Sequence, residues 1–144
     1  MSWGEISKLN KLGSNWTYMK EIVMSSMAPE PIGPYSQGVA SGGYIFLSGQ
    51  VGRKHDSTDL EKGVAAQTEQ AIHNLKAVLA EKNLTLDNVV KTTVFLADMN
   101  DFAEMNGVYA QFFDEESAPA RSTVQVAGLP LAADMEIEAI ASLG

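Results

Sequence analysis

The run Val89–Leu96, VVKTTVFL, is dominated by β-branched residues and lies between two stretches of helical periodicity. β-Branched side chains pack well on a pleated surface and lose rotamer freedom in a helix, so this run predicts a strand. Before it, Val64, Thr68, Ala71, Ile72, Leu75, Val78 and Leu79 recur at helical spacing and form one apolar stripe. After it, Phe102, Met105, Tyr109 and Phe112 form a second stripe, in a helix running to Phe113 and capped by Asp98 or Asn100. A strand between two long helices needs crossover connections, which place both helices on one face of a single sheet.

Other segments supply further strands. Lys20–Ser25 is a short candidate, and Pro29, Pro31, Gly33 and Pro34 then force an irregular connection. Tyr35–Ala40 can pair with Tyr44–Gln50 across Ser41-Gly42-Gly43, a hairpin signal. In the second of these runs, alternation sends Ile45 and Leu47 one way and Tyr44, Phe46, Ser48 and Gln50 the other. Large apolar groups on both faces predict a strand covered on both sides. Arg53–Asp59 is a polar loop, and Thr58-Asp59-Leu60-Glu61 reads as a capping box opening the first helix. Asn83, tolerant of a left-handed turn, ends it. Arg121–Val126 and Asp134–Ala141 are the last two strands, joined through Gly128 and Pro130. The expected order is β-β-β-α-β-α-β-β, an α+β fold with a mixed six-stranded sheet and two helices on one face. Residues 1–18, MSWGEISKLNKLGSNWTY, show no clean period and end just before a second plausible start at Met19. They are read as an added leader or a disordered extension, with a natural arm packing on a neighbour as the alternative, and residues 19–144 as the domain.

Charge and composition narrow the function. Setting aside Lys8, Lys11 and Glu5, the remainder holds 8 basic and 17 acidic residues, net −9. Such a surface repels phosphate backbones, because nucleic-acid affinity rests largely on Lys and Arg displacing counterions. No apolar run approaches the roughly 20 residues of a membrane span, so neither a nucleic acid nor a membrane is an expected partner. Cysteine is absent, which excludes disulfides, thiolate metal sites and cysteine nucleophiles and fits a reducing, cytoplasmic location. The whole chain has two arginines, Arg53 and Arg121. An acidic chain that binds a small anion must do so with a local cation, so each is worth following.

Alternation in the last two strands sorts their side chains. Val124 and Val126 oppose Arg121, Thr123 and Gln125; Met135, Ile137 and Ala139 oppose Glu136 and Glu138. The apolar sets are expected to face the helices, which leaves the polar sets together on the other face, a mixture that suits a subunit interface. Arg121 offers a planar fork for a carboxylate, and Glu136 an acceptor that can hold or deprotonate a water. Together they suffice to hydrolyse a C=N bond without a metal or organic cofactor; the blander alternative is that they pair across an interface. Glu138 is read as a solvated or interface carboxylate and Arg53 as solvated. His73 falls off the helical stripe and His55 in a loop, so neither supports a catalytic triad. Asn106 sits on an apolar stripe, where an amide is unusual and is either satisfied by burial or a ligand contact.

Several motifs in order carry a resemblance. Ile32-Gly33-Pro34-Tyr35-Ser36-Gln37-Gly38 and Ser48-Gly49-Gln50 resemble the opening signature of the Rid family, also called YjgF. Val90-Lys91-Thr92-Thr93-Val94-Phe95, then Asn100-Asp101-Phe102-Ala103 with Asn106 and Tyr109, are similar to its central segment. Pro119-Ala120-Arg121-Ser122, Leu129-Pro130 and Glu136-Ile137-Glu138-Ala139-Ile140-Ala141 resemble its C-terminal signature, so the similarity spans about residues 19–143. The resemblance implies a chorismate-mutase-like fold in a homotrimer with a central barrel, and ligand clefts between neighbouring subunits. It implies that Arg121 grips the substrate carboxylate and Glu136 positions the attacking water. Tyr35, Ser48, Gly49, Asn106 and the main chain near Thr123 would line the cleft. Two departures stand out: Thr123 replaces a cysteine common in the deaminase branch, and the loop after Gly52 lacks the usual Pro-x-Thr-Gly turn.

The implied activity is hydrolysis of 2-iminobutanoate or 2-iminopropanoate to the 2-oxo acid and ammonia. Pyridoxal-phosphate dehydratases acting on serine or threonine would be the metabolic source of such imines. The rivals are a non-catalytic module that senses 2-oxo acids, a ribonuclease or translation inhibitor, and a holdase. The acidic balance bears on the nucleic-acid rival: RNA at physiological salt is expected to bind no tighter than micromolar, and a highly purified sample with submicromolar RNA affinity would contradict it.

Overall fold

The computed structural model describes Ser2 and residues 19–144; apart from Ser2, the segment read as a leader or extension lies outside the described residues. The elements are β1 (Glu21–Val23), β2 (Gly38–Ser41), β3 (Tyr44–Val51), α1 (Val64–Ala80), β4 (Val89–Leu96), α2 (Phe102–Phe112), β5 (Ala120–Gln125) and β6 (Met135–Ser142). Their order is the expected β-β-β-α-β-α-β-β. They form one six-stranded sheet in the order β1-β2-β3-β6-β4-β5. Every neighbouring pair is antiparallel except β4–β5, which is parallel because α2 carries the chain back between them.

Both helices cover one face. Ile45, Leu47, Val94, Leu96, Ile137, Ala139 and Ala141 of the sheet pack beneath Ile72, Leu75, Val78 and Leu79 of α1 and Met105 and Tyr109 of α2. The β2–β3 hairpin turns through Gly42 and Gly43 at φ 62° and 86°, the paired left-handed conformation that a two-residue turn requires. Asn83 takes φ 57° just beyond α1, as its tolerance of that region predicts.

Three expectations are corrected. The Thr58–Glu61 box does not open α1: the helix starts at Val64 behind Gly63, with no side-chain cap. Tertiary bridging claims the segment instead, since Leu60 pairs with Arg53 and the Glu61 amide donates to Gly52 O at 2.8 Å. The second correction concerns β3, where a register shift between Leu47 and Gln50 adds one residue to β3 relative to β6. Alternation breaks there, and Gln50 is buried rather than lying with Tyr44 and Phe46. Those two aromatics are exposed in the single chain, so β3 is covered on one face only.

The third correction is that β2 begins at Gly38, not Tyr35. The residues before it are organised by a buried amide. Gln37 Oε1 accepts from the Ser25 amide at 2.6 Å, while its Nε2 lies 3.1, 3.2 and 2.9 Å from the carbonyls of Ser25, Ala28 and Pro29. One side chain thus supplies hydrogen bonds that the proline-rich stretch cannot find in a ladder. Gln37→Leu keeps the volume but leaves these groups unpaired. It should lower stability by about 2–4 kcal/mol, read by urea unfolding; a loss below about 1 kcal/mol would show that the connection holds itself.

Candidate functional site

β6 is paired along both edges, with Glu136 opposite Val51 of β3 and Phe95 of β4. Its alternate side chains Met135, Ile137 and Ala139 enter the core, which turns Glu136 and Glu138 to the open face. Glu136 projects into a cavity of about 620 Å³ whose floor includes Ser48, Gly49 and Gln50 and whose walls include Tyr35, Arg53, Pro130 and Leu131. The β3 bulge makes the room. A Cβ at position 49 would overlap the Glu136 carboxylate, so glycine is required for the carboxylate to lie where it does. Ser48 Oγ donates to Ser36 O, tying this floor to the segment that bears Tyr35. The Tyr35 hydroxyl accepts from the Ile32 amide at 3.3 Å.

Two buried amides that the sequence pattern does not mark as functional hold the cavity walls. Asn74 of α1 donates from Nδ2 to Val51 O and Arg53 O, at 3.3 and 2.8 Å. Gln67 of α1 meets Asp134 twice, accepting from its amide at 2.8 Å and donating to its Oδ2 at 3.1 Å, which fixes the chain just before β6. An amide within an apolar helical stripe was the available signal, and only Asn106 drew it. Arg53 is not merely solvated: its Nη1 donates to Ser57 O at 2.8 Å, and the residue lines the cavity.

Arg121 lies elsewhere. In the parallel β4–β5 register, Arg121 is level with Thr92 and Thr123 with Val94, two fully buried residues on the helix side. Arg121 Nη1 donates to Asn106 Oδ1 at 2.7 Å, and its guanidinium carbon sits 4.6 Å from the Tyr109 ring centre and 5.6 Å from that of Phe102. The Gln125 side-chain Oε1 accepts from the Met99 amide at 2.8 Å on the same side. The expected facing of β5 is therefore reversed: Arg121, Thr123 and Gln125 face α2, and Val124 is exposed. As an edge strand, β5 lies outside the hydrocarbon layer under α1, and α2 offers it an amide and two aromatic faces, which suit a guanidinium better than a valine. Asn106 is thereby explained as the acceptor that orients Arg121. Thr123 Oγ1 is buried without a hydrogen-bond partner among the described residues.

The structure thus separates the predicted residues into two groups. Tyr35, Ser48, Gly49 and Glu136 share one cavity; Asn106, Arg121 and Thr123 share the helix side of β5. Arg121 and Glu136 lie two strands and three residue steps apart, about 10 Å in each direction, and on opposite faces of the sheet. Alternation places them on one shared face; that expectation is corrected. His73 packs edge-on against Phe112 at 5.3 Å and His55 lies near it, both away from the carboxylate cavity.

With this geometry in view, comparison with known proteins decides the family. The model described as Endoribonuclease L-PSP matches residues 25–143. The chain belongs to this family, also called YjgF or Rid. Among Rid relatives, the RutC family protein slr0709 of Synechocystis is 46% identical over 125 residues, covering 85% of this chain and 96% of its own. TdcF of Escherichia coli K12, provisionally named a reactive intermediate deaminase, is 45% identical, covering 85% of this chain and 97% of its own. A crystal structure of TdcF with bound serine superposes with TM-score 0.80 at 44% identity, covering 85% of this chain and 98% of that one. The yeast protein MMF1 of Saccharomyces cerevisiae, named as mitochondrial, is 44% identical, covering 83% of this chain and 81% of its own. Rid membership therefore does not set the compartment. Among the described residues, no helix is long and apolar enough to cross a membrane.

Burial raises the Glu136 carboxyl above the usual carboxylate range, and the neighbouring charge of Glu138 raises it further. A carboxyl with a raised folded-state pKa contributes stability that is present below its unfolded value and lost as pH rises through the folded value. Glu136→Gln removes that loss. The variant should melt above the parent at neutral pH, with the gap closing below about pH 4. Identical melting curves across this range would show that ionising Glu136 carries no cost.

Proposed function

We propose that this chain hydrolyses reactive 2-imino acids to 2-oxo acids and ammonia, in a site assembled between two copies of the chain. The observation that carries the reading is the split just described. A cation suited to a carboxylate and a carboxylate suited to a water stand on opposite faces of one sheet, so a second copy must bring one to the other. The open sheet face supports assembly, since it exposes Tyr44, Phe46, Val90 and Val124. A homotrimer is the symmetric closed assembly we favour, because a head-to-tail contact that closes gives every copy one complete site. The serine bound to TdcF supports a ligand of amino-acid size bearing a carboxylate.

In this reading Arg121, oriented by Asn106 and backed by the Tyr109 ring, holds the carboxylate of 2-iminobutanoate or 2-iminopropanoate. Thr123 and the main chain around it flank that group. Glu136 of the facing copy holds a water over the floor of Ser48 and Gly49, with Tyr35 at the wall. The water oxygen bonds to the imine carbon while its proton passes to Glu136, forming a carbinolamine. The carboxyl returns that proton to nitrogen; the freed carboxylate then takes the hydroxyl proton as the C=O bond forms and the C–N bond breaks, so ammonia departs and the 2-oxo acid remains. Raised by burial and by Glu138, the Glu136 carboxyl takes up a proton more readily than an ordinary carboxylate. Protonated imines are already electrophilic, so the step draws on no metal or organic cofactor. A cytoplasmic site beside dehydratases that release such imines completes the reading.

The test exploits the split. Arg121→Lys keeps the charge but loses the two-pronged geometry; Glu136→Gln holds a water but accepts no proton. Each variant alone should lose about 100-fold or more in imine hydrolysis. Co-refolded in equal amounts, the two should recover about a quarter of parental activity, because random pairing reunites both native residues in that share of the sites. Hydrolysis would be followed as 2-oxo acid release from imine generated by a threonine dehydratase, with assembly checked by ultracentrifugation. No recovery in mixed assemblies would overturn the shared site, and a monomer at micromolar concentration would do the same. Oxo-acid binding without turnover by the parent would favour the sensing module.

A further inference from the structure

The wall of the Glu136 cavity carries a feature that imine hydrolysis does not require. Leu131 and Ala132 both adopt left-handed backbone, at φ 59° and 54°. Neither is glycine, and the conformation costs an L-residue about 1–2 kcal/mol. Two such residues in succession persist only where their surroundings over-determine them. Here the flanking constraints are visible: Pro130 presets the turn, Ala132 N and Ala133 N donate back to Leu129 O and Pro130 O at 3.1 Å, and Gln67 clamps Asp134. The result holds the Leu131 side chain at the cavity, 53% exposed, when a core position would have buried it.

Leu131 has company. Ile32 is 78% exposed and Tyr35 53% exposed at the same cavity, and the Ile32 amide donates to the Tyr35 hydroxyl, which fixes the ring. A polar floor of Ser48 and Glu136 is thus rimmed by exposed apolar side chains whose positions are held by backbone. The charged groups at the cavity are Glu30, Glu136, Glu138 and Arg53, a net negative set. That field disfavours a second carboxylate on a ligand, and the Arg53 guanidinium already donates to Ser57 O.

We infer that Leu131, held by its strained turn, is a specificity-determining residue that favours 2-imino acids with alkyl side chains longer than ethyl, against both the smallest and the acidic ones. The inference rests on the imine-hydrolase reading and names the substrate class of that same site. Apolar contact alone discriminates modestly, because one methylene in a hydrophobic pocket is worth roughly 10- to 200-fold when fully enclosed and less at a rim.

The experiment compares imines made in situ by an L-amino-acid oxidase from leucine and from alanine, with kcat/KM measured for each on the assembled protein. The parent should favour the leucine-derived imine. Leu131→Ala should lower the leucine-to-alanine ratio by roughly 5- to 20-fold. Leu131→Gly, which adopts the left-handed backbone without strain, should lower it at least as much. A parent that hydrolyses the alanine-derived imine as well or better, or a ratio that either variant leaves unchanged, would overturn the inference and leave imine hydrolysis standing. A parent that hydrolyses neither imine would overturn imine hydrolysis itself, and the inference with it.

Discussion

β6 is hydrogen-bonded along both edges, to β3 on one side and β4 on the other, and that double pairing sets the position of Glu136. A strand held on both edges cannot slip by one residue without turning Met135 and Ile137 out of the core. The register is therefore fixed by apolar burial on one face, and the carboxylates on the opposite face inherit that precision. The bulge in β3 then removes the one obstruction, since Gly49 leaves space where any side chain would meet the carboxylate. A charge placed this way is partly desolvated beside a like charge, so the geometry that raises its pKa also weighs against folding at neutral pH.

The irregular segments around the cavity are held by amides rather than by ladders. Gln37 and Gln67 each give both a donor and an acceptor to the segment they hold, while Asn74 donates to Val51 O and Arg53 O and accepts from Gln70 on its own helix. Buried amides of this kind are costly unless fully paired, and each of these is paired at both ends. They fix three walls independently: the Tyr35 segment, the Arg53 segment and the turn that leads into β6. A rigid wall allows exposed apolar side chains to stay at a cavity rim instead of collapsing into it.

The arginine side follows a different logic. β5 is an edge strand with the sheet on one side only, and its helix-facing side chains meet the polar and aromatic end of α2. Tyr109 bridges the two environments, with its hydroxyl on Thr92 in the core and its ring beneath the guanidinium. Burial raises the Tyr109 hydroxyl pKa, with the Thr92 hydrogen bond and the Arg121 charge opposing it, so the ring remains neutral beneath a cation. The oriented cation at one sheet edge and the oriented carboxylate on the far face therefore belong to separate environments within one chain.

Element order, helix placement and the core stripes were legible in the sequence because they follow from local periodicity. A period of 2 or 3.6 residues is a property of the chain itself, and VVKTTVFL or the Val64–Leu79 stripe admits one reading. Arg121 and Glu136 also stood out, as a lone cation and an acceptor on alternating strands, and the family motifs marked Tyr35, Ser48, Gly49 and Asn106. Tertiary structure alone decided which face each residue took. Alternation assigns two sides to β5 but cannot say which one meets a helix, and the edge position reversed the hydrophobic expectation. It also could not foresee the β3 bulge, which turned Gln50 inward, or the bridge that took Leu60 and Glu61 from a helix cap. Each of these depends on a partner distant in sequence, and a residue's surroundings are set by what packs against it, which no local pattern contains.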